Sequence, residues 1–292
     1  MDAKDAEKIR ELLNFSGYPF QHYSADRIAK LDGFQLAVEV PFTHPPSNAA
    51  FLGTHGSIDI LAACPNTDDD TLVWFVIECK KANDKIKNWI LLPNKQQDPR
   101  WPTFSGSIEK EGEPLQLSFG RDDRFPNLGY HRGTDFDYCV SGIEVNTDLR
   151  GTNHDTREKI YNPLKQVTHA LRGLEVQYPK IIEGIEYPRQ RTYIRNKYLP
   201  VVLTTANLFV ADFPVGDVVQ GEIPADKLSL DGPKKWATYE FALPDFLSYT
   251  FPRSGGTVRV SKQTVFIVNA QSIDEFFTAA THIEDGRAAG NQ

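Results

Sequence analysis

Two carboxylates and an ammonium stand at the ends of two apolar segments: Asp59 in Ser57-Ile58-Asp59-Ile60-Leu61-Ala62, and Glu78 with Lys80 in Phe75-Val76-Ile77-Glu78-Cys79-Lys80. Hard oxygen donors with open positions beside them suit Mg²⁺ (or Mn²⁺), which keeps several waters and also accepts a phosphate oxygen. A cation held there polarises a phosphoryl group and lowers the pKa of a bound water, while the lysine can orient that water or offset developing charge. Carboxylates flanked by Ile58, Ile60, Val76 and Ile77 are costly to bury as an unpaired couple, and a metal removes that cost. The chemistry such a set would serve is metal-dependent phosphodiester hydrolysis, with Asp59 and Glu78 expected as ligands and Lys80 expected to place the water.

Residues 58–63 and 72–79 are rich in Ile, Val, Leu and aromatics, which suit buried strands, and Pro65 to Asp70 reads as a turn, predicting an antiparallel hairpin. Side chains two apart share a face, so Glu78 and Lys80 point one way and Cys79 the other. Closing the hairpin around residues 66–68 brings Asp59 and Glu78 together with Lys80 beside them. A strand-like run at 35–42 precedes this pair and another at 86–91 follows. Helical spacing covers 2–15, stopped by Gly17, and a short second helix is expected at 24–30 with Ser24 as its cap.

Residues 156–183 read as a helix with an apolar stripe of Ile160, Leu164, Val167, Leu171 and Leu174, a turn allowed at Pro163 and a stop or kink at Pro179. Gln166 and His169 fall off the centre of that stripe, on a side that could face the carboxylates. Residues 199–204 and 208–212 read as a hairpin of interior strands. Further strands are expected at 236–243, 257–260 and 264–268, then a helix at 272–280 capped by Ser272. Mixed strands between helices give an α/β class: a central mixed sheet flanked by helices.

The order Asp, spacer, Glu-x-Lys resembles the core of the PD-(D/E)XK nuclease superfamily, here Asp59, Glu78 and Lys80, with Ile58 where the eponymous Pro would stand. The resemblance covers residues 34–92 and, more loosely, 156–212. It implies a restriction endonuclease-like fold: a single nuclease domain over 1–292 carrying an insertion at 93–155. It also implies Mg²⁺-dependent hydrolysis of DNA, in a setting such as bacterial defence against foreign DNA. Asp59 and Glu78, joined by the Cys79 carbonyl, would hold the metal, and Gln166 would help position the water or the metal-bound phosphate. One branch carries Gln-x-x-x-Tyr on this helix, and Ala170 stands at its Tyr position. Members often have an acidic residue on the first helix; Glu7 and Glu39 compete for that role. Cutting both strands of a duplex needs two sites, which a homodimer supplies. No motor motif is present, so strand separation would need a partner ATPase. An RNA substrate, or a non-catalytic nucleic-acid-binding or assembly subunit, are the competing readings; the intact Asp59, Glu78 and Lys80 disfavour the last.

A chain of 292 residues with 40% apolar content can bury a sizeable core. Its net charge of −7 argues against non-specific coating of nucleic acid, which depends on many phosphate contacts. Lys80, Lys81, Lys85 and Lys87, and separately Arg189, Arg191, Arg195 and Lys197, form local basic clusters that could track a phosphate backbone. In the insertion, Trp101, Phe104, Phe125, Tyr130 and Tyr138 could stack on bases. Cys64, Cys79 and Cys139 form neither a metal pattern nor a disulfide framework, which fits a reducing, cytoplasmic setting. The charged start of the chain opens a helix rather than a signal peptide, and no apolar run approaches the roughly 20 residues of a membrane span.

Overall fold

Apolar residues on both faces of the strands require cover on both sides, and the computed structural model supplies it. The structure describes residues 3–43, 55–66, 71–82, 87–94, 105–110, 113–119, 123–128, 138–146, 156–181, 193–244, 248–253 and 256–285. In chain order the elements are α1 (Ala3–Ser16), α2 (Tyr18–Ala29), β1 (Gln35–Thr43), β2 (His55–Pro65), β3 (Thr71–Lys80), β4 (Asn88–Pro93), β5 (Ser105–Lys110), β6 (Glu113–Phe119), β7 (Asp123–Arg124) and β8 (Tyr138–Val145). There follow α3 (Thr156–Ile181), β9 (Tyr193–Thr204), β10 (Asn207–Asp212), β11 (Ser229–Lys234), β12 (Trp236–Ala242), β13 (Tyr249–Arg253), β14 (Gly256–Val260), β15 (Lys262–Asn269), α4 (Ile273–Ala280) and β16 (Glu284–Asp285).

Among the described residues one large mixed sheet runs in the order β1-β2-β3-β9-β15-β12-β8-β4-β10-β11, and the β5-β6 hairpin joins it through β9. The chain is α/β, with helices on this sheet. β1, β2 and β3 form an antiparallel meander, and β3 pairs parallel with β9 from Thr71↔Arg195 to Lys80↔Thr204. Parallel neighbours need a crossover, and α3 lies on that path.

Alternation along β3 divides the core. Leu72, Trp74 and Val76 pack on the α3 side with Leu164, Val167, Leu171 and Leu174. Val73, Phe75 and Ile77 pack on the other side with Phe20 and Ile28 of α2 and Phe276 and Phe277 of α4. α3 also touches β1, β2, β8 and β9, so the sheet curls around it. That enclosure buries His169 and Arg172 as well as the predicted stripe.

Several expectations change. The second helix starts at Tyr18, one residue after Gly17, whose φ of +85° suits glycine at this junction; Ser24 is an interior, buried residue and not its cap. α3 includes Pro163, as the helical reading of 156–183 allows, and runs on through Pro179, where a stop or kink is expected. A proline inside a helix costs about 3 kcal/mol, while each buried Leu or Ile returns roughly 1.5–3 kcal/mol, so the stripe outweighs the lost bond at Pro163. β9 and β10 are not a hairpin: β10 pairs parallel with β4 and antiparallel with β11. The link between them is pinned from elsewhere, since the Asn207 N–H donates to the Lys87 carbonyl and the Asn269 side chain donates to the Ala206 carbonyl at 2.7 Å. Ser272 precedes α4 without a capping side-chain bond; Asn269 accepts from the Gln271 N–H instead.

The 93–155 segment contributes to the main sheet, with β8 interior between β4 and β12. Phe125 and Tyr138 are buried and unavailable for base stacking. Trp101, Phe104 and Tyr130 lie outside the described residues. Among the described residues no helix is long and apolar enough to cross a membrane.

Candidate active site

The β2-β3 ladder runs from Pro65↔Leu72 to Ile60↔Ile77, so the next pair outward is Asp59 with Glu78. At that point the Cys79 backbone N–H donates to Asp59 Oδ2 at 2.8 Å. Glu78 and Lys80 continue the α3-facing row of Trp74 and Val76, and Leu61 and Ala63 of β2 belong to the same side. Cys79 packs with the opposite core, its thiol toward Ser24 of α2. The expected meeting of Asp59 and Glu78 beside Lys80 therefore matches the geometry.

A break in the ladder sits at this spot. β1 and β2 pair Val38↔Ile60 and Val40↔Ile58, and the register skips Glu39 and Asp59 between them. Leu36 packs on the α2 side whereas Val40 and Phe42 pack on the α3 side, and on β2 both Ile58 and Leu61 lie on the α3 side. Regular pleating would forbid either combination, so both strands change face at this pair. Glu39 absorbs the irregularity with φ +51°, a left-handed conformation uncommon outside glycine.

The Gln21 side chain of α2 spans the break. Its Nε2 donates to Glu39 Oε1 at 2.7 Å and to the Asp59 carbonyl at 2.9 Å. Ser57 Oγ donates to Glu39 Oε2 at 3.3 Å. Glu39, not Glu7, thus adjoins the site; Glu7 is exposed on α1 and paired with Arg10.

Burial first, then the charges of Asp59 and Glu39, push the Glu78 carboxyl up to about 8, with Lys80 opposing. Asp59 is raised too, by burial and by Glu39, against the Cys79 N–H and Lys80. Cys79 is raised by burial and by the neighbouring carboxylates. Among the described residues Glu78 makes no hydrogen bond or ion pair, and Lys80 makes no ion pair. Half-buried carboxylates with one ammonium near them, one of them without a donor among the described residues, are a donor set that fits a hard divalent cation. Among the described residues no three His, Cys, Asp or Glu side chains converge as a metal cage, so the cation would take its remaining ligands from backbone, water and substrate.

The other sequence-predicted groups are dispersed. Gln166 lies on the exposed side of α3 and makes no hydrogen bond to Asp59, Glu78 or Lys80, so the structure does not join it to them. His169 is buried in α3. His55 is exposed at the start of β2, while His44, Lys85, Arg189 and Arg191 lie outside the described residues. Lys81 donates to the Asn14 carbonyl of α1 at 3.0 Å, and Lys87 is exposed. Sequence reasoning missed Gln21 and Ser57. A signal for Gln21 existed: it falls on the stripe Gln21, Ser24, Ala25, Ile28 that α2 buries, where an amide needs polar partners.

Comparison with protein-family models, with curated proteins and with solved structures gave no match.

Proposed function

We propose that this chain is a divalent-metal-dependent nuclease built on a restriction endonuclease-like core, with DNA as its substrate. The observation that carries this reading is the Asp59, Glu78 and Lys80 set at the Asp59/Glu78 step of the β2-β3 hairpin. Its setting supports it: α2 leads into the antiparallel meander β1-β2-β3, and beyond the intervening β4 to β8 come α3 and then β9, which pairs parallel with β3.

Asp59 and Glu78 would hold the cation with the Cys79 carbonyl. When bound, Mg²⁺ supplies Lewis acidity toward a phosphoryl oxygen and a water of lowered pKa. The residues do the rest. The Cys79 N–H fixes the Asp59 carboxylate by one oxygen and leaves the other available. Lys80, two residues beyond Glu78 on the same face, orients the attacking water and offsets charge growing on the phosphate. Regular alternation with Leu61 and Ala63 keeps Asp59 in the Glu78 row, and the irregular β1-β2 step adjoins it at Glu39.

The test is to incubate the purified chain with linear, circular and single-stranded DNA and with RNA, in Mg²⁺ or in EDTA. Cleavage of DNA in Mg²⁺ that stops in EDTA and in Asp59→Asn is the expected result. Cleavage that persists unchanged in Glu78→Gln or Lys80→Ala sinks the assignment, and cleavage of RNA alone moves the substrate.

A further inference from the structure

The Gln21 amide is buried, yet it is spent on no helix or core partner; its two acceptors are Glu39 Oε1 and the Asp59 carbonyl. Ser57 engages the second Glu39 oxygen, so the carboxylate is oriented from both sides. A fold that merely had to stay folded would gain by avoiding this arrangement. It sets a third carboxylate where its charge bears on both Asp59 and Glu78, and it holds a non-glycine residue in a left-handed conformation to do so. Strain and like-charge crowding that surrounding structure over-determines are features of functional sites.

We propose that Gln21 is a positioning residue for the candidate metal site: it fixes Glu39 beside Asp59 so that Glu39 accepts a hydrogen bond from a water of the bound cation. The inference rests on the nuclease reading and adds to it a role carried from α2. Direct ligation by three carboxylates does not fit the side-chain spacing, since no three such groups converge among the described residues. An outer-sphere contact does. Residues that orient a metal's water and ligands commonly alter affinity by about 10–100-fold when removed.

Calorimetric titration of Mn²⁺ into the full chain tests this without reference to cleavage. Gln21→Met and Glu39→Gln should each weaken binding about tenfold. The double variant should be no weaker than Glu39→Gln, because Gln21 acts through Glu39. A purely structural Gln21 would lower the melting temperature of Gln21→Met while leaving Mn²⁺ affinity intact, and that result overturns the inference. So do losses that multiply in the double variant. Glu39 is exposed, so Glu39→Gln remains informative even where Gln21→Met folds poorly; unchanged affinity in it also overturns the proposal. Mn²⁺ binding that is lost in Asp59→Asn but retained in Glu39→Gln rejects the inference alone. No Mn²⁺ binding by the wild-type chain rejects the metal site and the inference together.

Discussion

Moving the metal-free chain from pH 5 to pH 8 should destabilise it, and Glu78→Gln should abolish most of that loss. Glu78 titrates near 8 when folded and near 4.5 as a free side chain. Between those values the folded chain keeps a proton that the unfolded chain releases, so stability is complete below about pH 4.5 and drains away as pH rises toward 8. The interval of roughly 3.5 units, at about 1.4 kcal/mol per unit, sets a ceiling of about 5 kcal/mol. Glu78 is only half-buried and Lys80 is near, so solvent and counter-charge reduce this to about 2 kcal/mol. For a chain of this size that corresponds to roughly 4–8 °C in melting temperature.

The assay is thermal unfolding in EDTA at half-unit pH steps, with wild type and Glu78→Gln side by side. The variant should melt higher than wild type at pH 8 and equal to it near pH 4.5. Mg²⁺ at about 100 times its dissociation constant should return about 2.7 kcal/mol to the wild type and much less to the variant. A variant whose melting temperature follows the same pH slope as wild type, or gains as much from Mg²⁺, would refute the account of Glu78 as an ionised group in need of a cation.

Two further outcomes follow from the geometry. Lys80→Ala should reduce Mg²⁺-supported cleavage by about 10²–10⁴-fold while leaving calorimetric Mn²⁺ affinity within about threefold, since the ammonium is assigned to the water and not to the metal; a parallel loss of affinity would make Lys80 part of the ion's cradle instead. Gly173→Ala should destabilise the fold by about 1–3 kcal/mol in urea titration, because a Cβ there would come within 2.0 Å of the Phe42 ring, whose side chain has no room to retreat from the α3 core; an unchanged midpoint would mean that α3 does not press on β1 as described.

Much of the fold was legible because its signals are local. The runs through Ile60 and Phe75 are continuous and rich in aliphatic and aromatic residues, so β2, β3 and their pairing could be read, and with them the meeting of Asp59 with Glu78. The stripe from Ile160 to Leu174 fixed the buried side of α3. Long-range pairing was not legible. Residues 199–212 contain two apolar runs around a short link, a pattern that a hairpin and a strand-to-strand jump share, and only the positions of β4 and β15 decide between them. The helix boundary failed at Ser24, where burial against the sheet outweighed the local capping rule. The role of Gln166 rests on the family resemblance together with helical phase, and neither says how far along α3 a side chain lies from the carboxylates.

The step that brings Glu39 to the site is the one that periodicity hides. Strict alternation predicts that Ile58 and Ile60 share a face, and the two lie in opposite cores. The change of face at Glu39 and Asp59 costs a left-handed Glu39 and two skipped ladder partners, and it is held by the buried Gln21 amide of α2 together with Ser57 Oγ. Regular alternation from Leu61 and Ala63 is by itself enough to set Asp59 in the row of Glu78 and Lys80. The face change acts on the neighbours of Asp59 and not on its direction: it moves Ile58 and Val40 to the α3 side and leaves Glu39 unpaired in the ladder beside the carboxylates. A strand under no demand but stability would keep the cheaper alternation past Asp59, so the irregularity is itself evidence that Glu39 belongs to the site.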